Sequence, residues 1–297
     1  MLVDRVGIVR LDTEMHTINS KNKPIPARLH VLLARDEPYG LVIRRGPSKH
    51  VCTIGWDRTT DDFQIGQWLK GRIYERRSDL SPNGQHFIYF AMNGKWDSET
   101  KGSWTAVSQT PYLKAVGLWG KGDCWHGGGL FVRNRRYWVN AFDNHFTVTD
   151  AKTFNRDDQH DRQYEYGGEC PGVYYIRLQR DGWKYVSRDE RDKLNSVHVF
   201  EKHVSEDWLL RKIAHGTCYE REPGKGVYYD EHALVNTNTD EELKYPDWEW
   251  ADVDRDRMVW CEKGKLYAGS VNGDGLSHRS ELNDFNTMEF EPLPAPY

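Results

Sequence analysis

The sequence predicts an all-β fold, and three observations carry that expectation. Helix signals are scarce: Ala occurs only 12 times in 297 residues, and apolar residues rarely recur at i, i+3, i+4 and i+7. Short stretches rich in Val, Ile, Tyr, Trp and Phe alternate with Gly, Asn, Asp and Pro, the pattern of strands joined by tight turns. Glycines that open such stretches recur at Gly40, Gly84, Gly129, Gly172, Gly226 and Gly264, with successive gaps of 44, 45, 43, 54 and 38 residues.

Taken in order, the first strand candidate is 6–11. Residues 28–34, 40–45, 50–56 and 63–69 form a set of four strands, and 72–77, 86–91, 104–108 and 114–119 a second set. A third set comprises 248–253, 257–262, 265–271 and 276–282, followed by a last candidate at 288–293. A period near 45 fits four strands of about six residues with short turns, which is one blade of a β-propeller. Between the sets, 143–168 (DNHFTVTDAKTFNRDDQHDRQYEYGG) is strongly polar and reads as a surface insertion. The remainder of 123–247 then holds two blades, including strands over GVYYIRL from Gly172 and GVYYDEH from Gly226. The expectation is a single-domain propeller over 1–297 with five four-stranded antiparallel blades, or six if part of the insertion forms strand. The candidates at 6–11 and 288–293 lie where ring closure by terminal strands would place them; otherwise they are frayed tails.

Ser78-Asp79-Leu80-Ser81-Pro82-Asn83-Gly84-Gln85-His86-Phe87 resembles the turn of TolB-like and WD40-like propellers, which joins a blade's inner strand to its second. Pro presets one turn torsion and Gly supplies a positive φ. Trp250-Ala251-Asp252-Val253-Asp254-Arg255-Asp256-Arg257 is similar to the same element with Asp and Arg in place of Pro and Gly. The resemblance covers about 28–122 and 248–285 and implies a fold, because propellers host many unrelated functions.

Composition removes several functions. With 41 basic against 45 acidic residues, the net charge of −4 gives no cationic excess for bulk nucleic-acid binding. Charges at Asp4, Arg5 and Arg10 break up any signal-peptide core, and no stretch approaches the roughly 20 apolar residues of a membrane span. Five scattered cysteines (52, 124, 170, 218 and 261) without a Cys-x-x-Cys pair suit reduced thiols of a cytoplasmic protein better than a disulfide framework.

Few residues point to chemistry. Cys124 and His126 would share one face of an extended strand, yet a zinc site needs three or four ligands and no partner has recognisable spacing. Gly127–Gly129 match no phosphate-loop pattern and Ser81 lies in no nucleophile elbow, so neither metal nor cofactor is expected. Asp79, Asp123, Glu220, Glu249 and Asp252 fall near inner-strand ends, where a channel would bring carboxylates together for glycosidic chemistry; for Asp79 and Asp252 the first reading is that they accept turn hydrogen bonds from backbone amides. Trp104, Trp119, Trp125, Trp138, Trp248 and Trp250 suit core packing, sugar stacking or a partner surface. Arg133, Arg135 and Arg136 with Arg72, Arg76 and Arg77 suit a phosphate, an acidic peptide or a solvated blade edge.

The expected function is a non-enzymatic platform that recognises a protein or peptide through one propeller face and the insertion. Arg76, Asp79, Trp125, His126, Arg135, Trp250 and Asp252 are its candidate binding residues. Two alternatives stand beside it. One is a carbohydrate-active enzyme or lectin using channel carboxylates and tryptophans; the other is a component of a bacterial defence or immunity operon.

Overall fold

The computed structural model describes residues 25–47, 49–141, 145–158, 166, 169–192, 195–217 and 225–297. The strand expected at 6–11, most of the insertion beyond 158, Cys218 and Glu220 lie outside them.

Strands β1 (Arg28–Leu33), β2 (Tyr39–Arg45), β3 (His50–Asp57) and β4 (Asp62–Lys70) form an antiparallel meander. The first three are nearly continuous apolar runs buried on both faces, whereas β4 alternates with exposed positions and forms the edge. The second sheet contains β5 (Arg72–Ile73), β6 (Asp79–Leu80), β7 (His86–Met92), β8 (Ser103–Gln109) and β9 (Ala115–Gly120), with β5 and β6 both pairing β7. The strand expected over 72–77 is therefore cut short. A 3-10 turn at Glu75–Arg77 replaces its end and buries Arg76 and Arg77. The Ser81-Pro82-Asn83-Gly84 segment makes the β6–β7 turn: Gly84 sits at φ +71° with its N–H on the Ser81 carbonyl at 2.8 Å.

The third sheet joins β10 (Gly129–Arg133) to β11 (Arg136–Val139). The chain then enters the expected insertion and forms two strands there. β12 (Phe146–Thr149) pairs β9 at the edge of the second sheet, and β13 (Asn155–Arg156) runs parallel to β11. The insertion thus extends existing sheets and makes no sheet of its own among the described residues.

The segment after it corrects the sequence reading outright. Cys170–Arg180 is a helix, α1, where GVYYIRL was expected to be a strand. Cys170, Val173, Tyr174, Arg177 and Leu178 are buried, a spacing of i, i+3, i+4, i+7 and i+8 along one helical face. Strands β14 (Lys184–Asp192), β15 (Asn195–His203), β16 (Trp208–Thr217), β17 (Tyr228–Asn236) and β18 (Glu242–Lys244) form the fourth sheet. The fifth contains β19 (Trp248–Asp254), β20 (Arg257–Glu262), β21 (Lys265–Asn272) and β22 (Gly275–Asp284).

Each sheet shares a core with the next. Val42 and Trp56 pack with Trp250 and Val259, Leu41 and Val51 with Phe87 and Tyr89, and Ile88 and Val107 with Phe131 and Tyr137. Helix α1 fills the space between the third and fourth sheets, with Val173 on Leu130 and Trp138, and Tyr174 and Tyr175 among Phe200, Leu210 and Trp248. The expected strand at 288–293 is absent. The chain there crosses the first sheet without ladder pairing, held by Arg44 Nη2 on the Met288 carbonyl at 3.3 Å and Gln67 Nε2 on the Leu293 carbonyl at 2.8 Å. It ends on the second sheet, where the Tyr297 hydroxyl donates to the Lys114 carbonyl. Among the described residues no helix is long and apolar enough to cross a membrane.

Candidate functional site

A cavity of about 730 Å³ opens among the first, second, fourth and fifth sheets and the start of α1. Its floor is built by the 3-10 turn, which points two successive arginines inward. Arg77 gathers the neighbouring loop onto the helix: Nε donates to Cys170 Sγ at 3.3 Å, Nη1 to the carbonyls of Cys124 (2.8 Å) and His126, and Nη2 to the Glu169 carboxylate. That loop approaches so closely that a Cβ on Gly128, at φ +76°, would lie 1.8 Å from the Arg77 carbonyl, so the position requires glycine.

Arg76 anchors the second half of the floor. Its Nη2 stands 3.1 Å from Asp230 Oδ1, an ion pair without hydrogen-bond alignment, and its guanidinium lies over the Tyr174 ring. The Tyr174 hydroxyl donates to Asp230 Oδ2 at 2.6 Å. Behind Asp230, the β16–β17 register sets Lys212 directly across from His232, with Nζ 2.9 Å from Nε2. His232 Nδ1 faces the Trp248 carbonyl at 3.2 Å and must donate to it, which leaves Nε2 to accept from Lys212.

Burial pushes Lys212 down to about 8 against the pull of Asp230 and Asp252. Burial, reinforced by Lys212, holds His232 well below its ordinary value, so the imidazole is neutral. Burial alone would raise the Asp230 carboxyl, but Arg76 and Lys212 outweigh it and hold it below the usual range. His30 is likewise kept neutral, first by burial and then by Arg177, whose Nη2 lies 3.0 Å from His30 Nε2.

The walls and mouth are cationic. Arg28, Arg45, Arg72, Arg76, Arg77, Lys225 and Lys263 line the cavity against Glu75, Glu169, Asp230, Asp247 and Glu249. Four of the five acids are ion-paired within the site, to Arg45, Arg77, Arg76 and Lys263. Glu249 accepts the Leu29 N–H at 2.8 Å. Burial and the nearby Glu75 charge raise it, whereas Arg45 and Arg72 overcome the burial of Glu75 and lower that carboxyl.

A second cavity, of about 440 Å³, is lined by the continuation of β1, with Arg35, Arg58, Arg177, Arg180 and Lys202 around it. Arg177 separates the two: it lines the second cavity and its guanidinium meets His30 in the wall of the first.

The seven candidate binding residues divide among different places. Arg76 and Trp125 line the first cavity, with Trp125 62% exposed at its rim. His126 sits in the loop that Arg77 holds, at φ +58°, with its N–H on Glu169. Asp79 lines the second cavity, where it takes both Nη atoms of Arg180 and the Phe131 N–H. Asp252 binds Lys202 Nζ at 2.8 Å and the indole N–H of Trp183. Arg135 is exposed in the β10–β11 turn. Trp250 is buried in the core between the fifth and first sheets, where no ligand reaches it. The channel carboxylates do not converge either: Glu249 lines the first cavity, Asp79 the second, and Asp123 pairs with Lys121.

Sequence reasoning missed Asp230, Lys212, His232 and Arg177. Asp230 and His232 stand two apart in an apolar strand, a period-two signal for one buried face. No group of three or more His, Cys, Asp or Glu that could hold a metal occurs among the described residues. The resemblance to TolB-like and WD40-like repeats finds no support in related sequences, because the chain matches no protein-family model and no curated protein.

Proposed function

We propose that the chain is a cytoplasmic binding platform, its five sheets the blades of one propeller, and that the first cavity receives an acidic segment of a partner protein. The cyclic succession of shared cores, closed by the packing of the fifth sheet on the first, supports the propeller reading. The observation that carries the functional reading is the cavity's charge. Seven cations face five carboxylates among its described lining residues, and Arg28, Arg72 and Lys263 stand exposed at its mouth beside Trp125. Arginine forks recognise carboxylates with defined geometry, and an exposed Trp supplies contact area at little entropic cost.

The test is a titration of the purified protein with a Glu-rich peptide, a Ser/Gly peptide and a Lys-rich peptide of equal length, read by tryptophan fluorescence and calorimetry. The acidic peptide is expected to bind tightest and to weaken as salt rises, and Arg72→Glu is expected to weaken it about tenfold. Equal affinity for acidic and neutral peptides, or an Arg72→Glu protein that binds normally, sinks the reading.

One observation favours the carbohydrate alternative: Glu249 and Glu75 share the cavity with their protonation pushed in opposite directions, the pattern of a general acid beside an ionised carboxylate. A panel of aryl glycosides tests it. Turnover that Glu249→Gln abolishes supports it, and no turnover on any member removes it.

A further inference from the structure

We propose that the second cavity is a binding site for a phosphate group carried by a small molecule. Its cations arrive from four separate elements: Arg35 from the β1–β2 turn, Arg58 from the β3–β4 turn, Arg177 and Arg180 from α1, and Lys202 from β15. Among the described residues only two carboxylates line it, Asp79 and Asp181, and Arg180 engages both, with Nη1 and Nη2 on Asp79 at 2.6 and 2.8 Å and Nε on Asp181 at 2.8 Å. Arg58 and Lys202 are paired from behind the cavity by Asp254 and Asp252.

The other two arginines are held differently. Arg177 is 5% exposed, and its guanidinium meets the carbonyls of Ser78 and Glu75 and the His30 imidazole, groups that orient a cation without neutralising it. Arg35 donates to the Phe131 carbonyl at 3.3 Å, and Arg180 donates to that same oxygen at 3.3 Å, so two guanidiniums converge on one atom. The Asp79 and Asp181 carboxylates that Arg180 holds offset part of the repulsion between them. Arg58 is 9% exposed, and its guanidinium is held by the Asp254 carboxylate and the carbonyls of Ala34 and Glu37.

The tetrahedral oxygens of a phosphate accept from several guanidiniums at once, which a planar carboxylate does less well. The cavity is larger than the free ion, and the partly exposed Leu33 and Val253 supply an apolar wall for an organic body. This site is independent of the acidic-segment reading of the first cavity.

The test uses the full chain at constant ionic strength, titrated with orthophosphate and with glycerol phosphate against glycerol and chloride controls. Binding is followed by calorimetry and by phosphorus NMR line width. Saturable binding of a phosphate species is expected, with Arg35→Ala weakening it about tenfold and Arg72→Ala, in the first cavity, leaving it unchanged. Arg35 lies in an exposed turn, so its replacement spares the fold. Tighter binding of glycerol phosphate assigns the apolar wall to an organic body, and tighter binding of orthophosphate assigns the site to the free ion. The proposal is overturned by absence of saturable binding up to about 10 mM, by an Arg35→Ala protein of unchanged affinity, or by Arg72→Ala abolishing binding.

Discussion

Gly-Val-Tyr-Tyr is helical at 172–175, inside α1, and non-helical at 226–229, where it passes through a bend at Val227 into β17. The four residues are the same, so their flanks decide. The first copy follows Pro171, which is tolerated in the first turn of a helix, and precedes Ile-Arg-Leu-Gln-Arg, mostly unbranched residues that lose little rotamer freedom in one. Its helix stops where the Asp181 N–H reaches the Arg177 carbonyl at 2.9 Å and Gly182 turns left-handed. The second copy precedes Asp-Glu-His-Ala, with Asp230 and His232 buried on one face and Glu231 less so between them. The copies then meet, since Tyr174 of the first donates its hydroxyl to Asp230, one residue beyond the second. A repeated tetrapeptide is therefore a weak witness to a repeated structure, and here the departure creates the polar floor of the first cavity.

The largest expected effect breaks that meeting point. Asp230→Ala strips the carboxylate from Arg76 and Lys212, both buried, and from Tyr174. Removing one partner of a buried ion pair costs about 3–5 kcal/mol, so the guanidinium-chloride midpoint falls sharply. A loss under about 1 kcal/mol would mean that apolar packing alone seats α1 against β17.

Next in size is an acid effect that draws on both regions. His30 contacts Arg177 of the helix, and His232 lies on the strand; both are held well below the ordinary histidine value, and His198, beneath Tyr175, falls to about 4. Each is neutral in the folded chain but takes up a proton in the unfolded chain below about pH 6.5, so the unfolded state binds more protons there. Stability is expected to fall as pH drops from 6.5 to 5, by up to about 1.4 kcal/mol per pH unit for each histidine. His232→Gln shallows that slope in denaturant melts taken across the window, and an unchanged slope contradicts the neutral assignment.

Where local pattern and tertiary demand agree, the strands were legible. The set at 28–69 recurs as β1 to β4 with ends moved by a residue or so, and 257–262 is β20 as read. The reading failed where burial of charge overrode pattern. The apolar start of 72–77 continues into a 3-10 turn because Arg76 and Arg77 find Asp230, Glu169 and carbonyls inside. In α1 a buried Arg177 occupies a position that a hydrophobicity pattern scores as solvent-facing, which hid the helical period. Of the site, Arg76 and Trp125 were legible by residue type. Lys212 was not, because a lysine between Arg211 and Ile213 carries no mark of being 1% exposed until the register sets it against His232.

The smallest effects separate the copies most cleanly. Gly182, which ends the helix, sits at φ +89°, and a Cβ there would meet nothing nearer than Lys202 Cε at 3.8 Å. Space is therefore open, and the whole penalty of Gly182→Ala is the left-handed backbone, about 1 kcal/mol. Gly226, which opens the second copy, has no left-handed φ, and its nearest neighbour to a Cβ is the Tyr228 carbonyl at 3.7 Å. Gly226→Ala meets no strain and only an ordinary van der Waals contact, and it restricts the unfolded chain, so it is expected to change stability by less than about 0.5 kcal/mol, toward stabilisation. Denaturant midpoints for the two variants, measured side by side, should differ in sign or nearly so. Equal losses at both glycines would show that the second copy needs glycine as much as the first, and that its non-helical form is imposed by the fold and not by its flanks.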